Sequence, residues 1–200
     1  PDGHLRQRPR LPEVTSLVVV GYLNVDLSNG EPRHPAPGGT LLGRSLKMLP
    51  GGKGANQALA AARLGAPTTM VGAVGDDPQA EIALRLLREA GADLTHILRV
   101  PGPTGLARVE VDDAGENTIV VIPGANESVT ADALRPALGT IAAADVVVLQ
   151  GEIPASGIAA AAGAATGRVV LNLAPVVELP AETILRADPL VVNEHEGRLV

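Results

Sequence analysis

The sequence predicts an α/β domain: a doubly wound, mostly parallel sheet with helices on both faces and a small β element projecting from it. Three observations predict it. Short apolar runs rich in Val recur along the chain, as strands buried on both faces require. Ala- and Leu-rich helical patterns alternate with them. One Pro- and Gly-rich excursion and one hairpin signature interrupt the rhythm.

Leu17-Val18-Val19-Val20-Gly21 reads as the first buried strand. Residues 28–50 hold Pro32, Pro35, Pro37 and Gly38-Gly39, which marks a surface excursion with room for edge strands of its own. Residues 55–64 form an Ala-rich helix, stopped by Gly65 and Pro67. A strand follows over 68–74. Asp77-Pro78 then supplies an N-cap and a proline at the first helical position. The helix after it sets Ile82, Leu86 and Leu87, with Ala83 and Ala90, on one face, and Gly91 ends it. Residues 106–111 and 118–122 are β-rich runs joined by Asp112-Asp113-Ala114-Gly115-Glu116-Asn117, an antiparallel hairpin signature. A helix is expected from about Thr130, a strand over 146–149, a helix after Pro154, a strand over 169–171 and a last apolar run over 190–192.

Bulk properties exclude several function classes. Hydrophobic residues make up 46% and charged residues 19% of the 200, a globular composition. The formal net charge of -6 argues against nucleic acid as a partner, because a phosphate backbone needs a basic face. With no Phe, no Trp and one Tyr, the chain cannot stack bases on rings, and its core must be Val, Leu, Ile and Ala. Absence of cysteine excludes disulfides and Cys-ligated zinc. The four histidines, His4, His34, His96 and His195, show no metal-ligand spacing, and His195 is given no role. No apolar run approaches membrane-spanning length. Residues 1–14 read as a disordered tail without a secretory h-region, and a cytoplasmic location fits.

In a doubly wound sheet, ligands sit at the carboxyl ends of the strands. After the first strand come Asn24 and Asp26, two apart and pointing the same way if the strand continues. A carboxylate accepts two hydrogen bonds and a vicinal diol donates two. By itself such a pair reads better as a solvated loop. Gly51-Gly52-Lys53-Gly54-Ala55-Asn56-Gln57 opens a helix, where glycines allow close approach and the helix N-terminus and Lys53 add positive character. A Walker-type loop is excluded because Gly54 stands where Ser or Thr is needed. A dinucleotide fingerprint is excluded because Gln57 replaces its third glycine and no strand directly precedes the motif. Gln150-Gly151-Glu152 and Asn193-Glu194-His195-Glu196 follow later strands, and their carboxylates suit sugar hydroxyls or Mg²⁺ through water. Asp76 and Asp77 are read as capping residues.

Taken in order, the stretches 17–26, 50–65, 71–77, 103–126, 149–154, 171–175 and 192–196 resemble the PfkB-type carbohydrate kinases, in their ribokinase branch. Gly-Gly-Lys-Gly-Ala-Asn-Gln is the specific signal, joined by Gly115-Glu116-Asn117 and Gly124-Ala125-Asn126. The resemblance implies transfer of the ATP γ-phosphoryl group to a primary hydroxyl of a pentose, ribose going to ribose 5-phosphate. It implies that Asn24 and Asp26 hold sugar hydroxyls, that Gly52, Lys53, Gly54 and Asn56 close around the same sugar, and that Glu152 binds from the opposite wall. Asn193 and Glu196 correspond to the family's Asn-x-x-Glu motif, which organises Mg²⁺, indirectly through Glu196, and the ATP phosphates. The stretches 28–50 and 104–122 would form a lid, and lids of this kind pair into a homodimer. A monovalent cation, K⁺, is expected for the family.

The chain departs from that pattern. Gly39 follows Pro37-Gly38 where the family has Glu, and Pro50 stands where an aromatic often precedes the glycine-lysine motif. Both bear on lid closure and sugar packing. The family carries its anion hole, its Asp general base and most of the adenine pocket in a C-terminal section, and nothing after Glu196 matches them. The expectation is that this chain alone does not turn over and holds no catalytic base. Two alternatives remain open at this point: another kinase of the family, acting on fructose or a nucleoside, and a non-catalytic sugar-binding module.

Overall fold

Val18, Val19 and Val20 are all buried, as a strand covered on both faces must be. In the computed structural model, which describes residues 16–36 and 38–200, they lie in β1 (Leu17–Val20). The remaining strands are β2 (Asn24–Gly30), β3 (Ser45–Gly51), β4 (Thr68–Val74), β5 (Ile97–Arg99), β6 (Gly105–Val111), β7 (Asn117–Ile122), β8 (Val146–Gln150), β9 (Arg168–Asn172) and β10 (Ala187–Val191). The helices are α1 (Lys53–Arg63), α2 (Gln79–Glu89), α3 (Leu138–Ala143), α4 (Ala155–Ala164) and α5 (Ala181–Leu185). The tail expected over 1–14, and Pro37, lie outside the described residues.

The order β10-β9-β8-β1-β4-β5 forms a six-stranded sheet, and every pairing in it is parallel. Alternate residues face alternate cores. Val19, Met70, Val74 and Val148 pack on Ala55 and Ala58 of α1 and on Ala80, Ala83, Leu84 and Leu87 of α2. Val18, Val20, Val71, Ala73, Val147 and Leu149 pack on Ile141 of α3 and Ile158, Ala161 and Ala162 of α4. Helices therefore cover both faces. Truncating one of the fully buried leucines, such as Leu149, to Ala costs about 2–5 kcal/mol.

The winding reverses at β1. The chain passes through α1, β4, α2 and β5 on one side of β1, then through α3, β8, α4, β9, α5 and β10 on the other. The loops leaving β1 and β8 thus diverge at their carboxyl ends, where an open α/β sheet offers its ligand crevice. A second sheet, β3-β2-β6-β7, stands there. Its outer pairs are antiparallel and β2–β6 is parallel. Only Gly21-Tyr22-Leu23 separate β1 from β2, so this sheet is mounted directly on the exit of β1.

Three expectations need correction. The helix expected from about Thr130 begins at Leu138, after a 3-10 turn at Arg135–Ala137; Pro136 has no N–H to continue an α-helical ladder. The face α2 buries is Ala80, Ala83, Leu84 and Leu87, while Ile82 and Leu86 are only half-buried, because spacing i, i+3, i+4, i+7 from Ala80 points at the sheet. A strand does precede the glycine motif: β3 runs into Gly52 without a gap. It was hidden because its residues 45–49 are exposed and lack the continuous apolar run of a central strand.

Candidate functional site

Gly52 has φ 96°, a left-handed backbone that favours glycine, and it turns β3 into α1. A Cβ there would meet the Tyr22 carbonyl oxygen at 2.6 Å. At Gly54 it would meet the Tyr22 nitrogen at 2.7 Å. The two glycines therefore let the start of α1 seat directly on the exit of β1. Lys53 lies between them. Its backbone N–H donates to Glu152 Oε2 at 3.1 Å and its Nζ donates to Glu152 Oε1 at 2.5 Å. Glu152 follows β8, so one carboxylate ties together both sides of the switch point. A helix N-terminus favours such a negative group.

Asp26 pairs with Leu49 across β2–β3, and its carboxylate lies in the space a side chain at Gly51 would occupy. Burial, and then the negative charge of Glu152, push the Asp26 carboxyl above its ordinary value. Two carboxylates and one ammonium thus share one site. That donor set is rich in acceptors and suits a neutral ligand with several hydroxyls. Asn24 begins the same strand; its side chain is buried and its Oδ1 has no hydrogen-bond partner among the described residues.

Of the residues predicted from sequence, Asp26, Gly52, Lys53, Gly54 and Glu152 are brought together, with Asn24 beside them. Asn56 stands apart: it is exposed, its backbone N–H donates to Gly52 O at 2.9 Å, and no hydrogen bond among the described residues joins its amide to Asp26, Lys53 or Glu152. Asn193 and Glu196 follow β10, two strands beyond β8, or roughly 10 Å across the sheet. They clasp each other: Asn193 N–H donates to Glu196 Oε2 and Glu196 N–H to Asn193 Oδ1, both at 2.8 Å.

Comparison with known proteins bears directly on this geometry. The profile described as "pfkB family carbohydrate kinase" matches residues 14–200. The chain belongs to the pfkB family of carbohydrate kinases. Among curated members it is similar to ribokinase of Bacillus subtilis, 38% identical over 189 residues, covering 92% of this chain and 64% of the relative. It is also similar to ribokinase of Haemophilus influenzae, 36% identical, covering 92% and 62%. Among solved structures, ribokinase of Arabidopsis thaliana complexed with ribose and ATP superposes with a TM-score of 0.84 at 33% identity, covering 92% of this chain and 62% of that one. The chain thus spans just under two thirds of the length of these relatives. A nucleoside kinase of Methanocaldococcus jannaschii, at 18% identity and a TM-score of 0.74, shares the fold.

Several residues around this candidate site were not legible as such. Tyr22 is buried, and its hydroxyl donates to Ile122 O at 3.4 Å. Burial, then the charge of Glu152, push its phenol up to about 12. Asn126 is fully buried; its Oδ1 accepts from Leu23 N–H and its Nδ2 donates to Leu23 O and Pro123 O, each at 2.9 Å. It clips the β1–β2 junction to the chain leaving β7. Gln150 Nε2 donates to Gln57 Oε1 at 2.6 Å, Gln57 Nε2 to Asn172 Oδ1 at 3.4 Å, and Asn172 Nδ2 to Val191 O at 3.2 Å. This amide chain joins α1 to the ends of β8, β9 and β10. Gln57 and Asn126 fall inside quoted motifs, but nothing in their spacing reveals these partners. Asp77 does cap α2, through Ala80 N–H at 3.1 Å, and it also accepts from Thr104 N–H at 2.8 Å and Thr104 Oγ1 at 2.6 Å. Burial alone would raise its carboxyl, but the hydrogen bonds from Thr104 and Ala80 outweigh that and hold it below its ordinary value.

Proposed function

We propose that this chain forms the sugar-binding part of an ATP-dependent ribokinase, which transfers the γ-phosphoryl group of ATP to the primary hydroxyl of D-ribose. The observation that supports it is the meeting of Asp26, Lys53 and Glu152 at the switch point of the sheet. In this reading Asp26 accepts hydrogen bonds from adjacent ribose hydroxyls, with Asn24 beside it on β2. Glu152, held by Lys53, accepts from the opposite wall, and Gly52 and Gly54 keep the floor low enough for the ring. Asn56 lines the rim on the solvent side of α1.

Asn193 and Glu196 would hold the Mg²⁺-bound phosphates. They fit that role, since their mutual clasp uses one oxygen of Glu196 and leaves Oε1 without a hydrogen-bond partner among the described residues. ATP would supply the transferred group and Mg²⁺ would neutralise its charge. We assign no residue of this chain to K⁺. No helix among the described residues is long and apolar enough to cross a membrane, and a cytoplasmic setting goes with the reading because ATP is found there.

The second sheet acts as the lid and as the surface for a second copy. All six residues of β7 are exposed, and Ile119, Val120, Val121 and Ile122 are about half-exposed in succession. Leu46, Met48 and Leu49 of β3 are exposed as well. Because successive residues alternate between faces, this sheet presents apolar side chains on both, one toward the sugar and one for pairing. A thermal-shift panel of D-ribose, D-fructose and adenosine tests the substrate. A shift with ribose alone supports the reading, and a shift with adenosine alone overturns it.

A further inference from the structure

His34 lies within the 28–50 stretch and takes no part in the site around Asp26, Lys53 and Glu152. It lies in the loop after β2, and its Nδ1 is 3.0 Å from Glu31 Oε1 and 4.0 Å from Glu110 Oε2. One ligand atom from each of the three residues lies within 4.8 Å of the others. Neither carboxylate is a solvated surface group, since Glu31 is 6% and Glu110 9% exposed. Two carboxylates withdrawn from water beside each other call for positive charge, and Arg108 serves only Oε1 of Glu110.

The surrounding groups hold each ligand in place. Asn29 Nδ2 donates to Glu31 Oε2 at 3.2 Å, which leaves Oε1 turned to His34. Arg108 pairs with Glu110 Oε1, which leaves Oε2 turned the same way. On the far side of the imidazole, Nε2 is buried without a hydrogen-bond partner, and Asp112 Oδ2 is 4.0 Å from it. The other oxygen of Asp112 is fixed in the hairpin turn by Ala114 N–H at 2.9 Å and Glu116 N–H at 3.0 Å. A carboxylate that accepts from the second nitrogen of an imidazole leaves the first nitrogen's lone pair for a metal, and Asp112 stands about 1 Å beyond that contact.

We propose that Glu31, His34 and Glu110 form a site for a divalent transition-metal ion of the zinc class, which pins the loop 31–36 onto β6. One imidazole and two carboxylates suit Zn²⁺, with the fourth position open to water. Ligand atoms in a tetrahedral zinc shell lie about 3.4 Å apart, so the cluster needs to tighten by little more than about 1 Å. Arg108, already paired with Glu110, competes with the ion. The site is independent of which sugar the protein takes.

Metal-free protein of the full 200 residues is titrated with Zn²⁺ against a chromophoric chelator, and with Co²⁺ by visible absorption. One equivalent should bind, His34→Ala and Glu110→Gln should each weaken it about tenfold or more, and Arg108→Ala should tighten it. Mg²⁺ in large excess should not displace the ion. Unchanged stoichiometry and affinity in His34→Ala would place the ion elsewhere and overturn the proposal. Equal displacement by Mg²⁺ would reduce the cluster to ordinary acidic surface and overturn it too. Circular dichroism monitors folding of each variant. Should His34→Ala unfold, His34→Gln and Arg108→Ala decide the matter by opposite changes in affinity, and any other result refutes the site.

Discussion

Replacing Asn126 by Ala should cost more stability than any other single polar substitution around the site. Its side chain is fully buried and makes three hydrogen bonds to backbone, to Leu23 N–H, Leu23 O and Pro123 O. Each contributes about 1 kcal/mol net, and leaving Leu23 N–H buried without an acceptor adds about 1–3 kcal/mol more, for a total of roughly 4–6 kcal/mol. With a denaturant slope of about 2 kcal/mol/M, the urea midpoint should fall by roughly 2–3 M with the slope unchanged. Asn126→Asp keeps the acceptor for Leu23 N–H but sets a carboxylate oxygen against two carbonyls, so it should be at least as damaging. A shift below about 0.5 M for Asn126→Ala, or about 1 kcal/mol, would mean that the β1–β2 junction does not depend on this clip.

The other expectations are more local. Gly52→Ala places a Cβ 2.6 Å from Tyr22 O in a backbone at φ 96°, and should lower stability by about 1–3 kcal/mol, read as a fall in Tm. Asp26 has a folded-state pKa above its unfolded value of 3.8, so its contribution is present below that pH and lost as pH rises through the folded pKa. Asp26→Asn should therefore raise Tm at neutral pH while removing any response to ribose, and Tm scans across pH check both. Asp77 is shifted the other way: its contribution is present above about pH 4 and lost as pH falls, so Asp77→Asn should lower Tm at neutral pH and remove that part of the acid sensitivity. Val121→Asp on β7 should convert a dimer to a monomer in sedimentation while leaving stability within about 0.5 kcal/mol of the parent.

Fold class was legible because Val-rich runs without polar alternation belong to strands covered on both faces, and β1, β4, β8 and β9 carry that pattern without interruption. β3 was not legible as a strand leading into the helix: Ser45-Leu46-Lys47-Met48-Leu49 is exposed, and its structure comes from pairing with β2, which no local pattern encodes. The start of α3 was not legible because helical composition from Thr130 onward masks the break at Pro136. At the site, the glycine-lysine motif announced a helix entrance, but the tie from Lys53 to Glu152 spans 99 positions and exists only through the switch point at β1. Tyr22, Gln150 and the Glu31–His34–Glu110 cluster owe their significance to neighbours brought in by other strands, so spacing alone could not single them out.

The most direct test of the account is the heat of D-ribose binding to the parent protein and to Glu152→Gln. Losing charged acceptors that each contribute about 1.5–3 kcal/mol should weaken ribose by about 10- to 100-fold, with the variant still folded. Equal affinity of parent and variant would show that ribose, if it binds, does so away from Asp26, Lys53 and Glu152, and the assignment of this cleft to a sugar would be wrong.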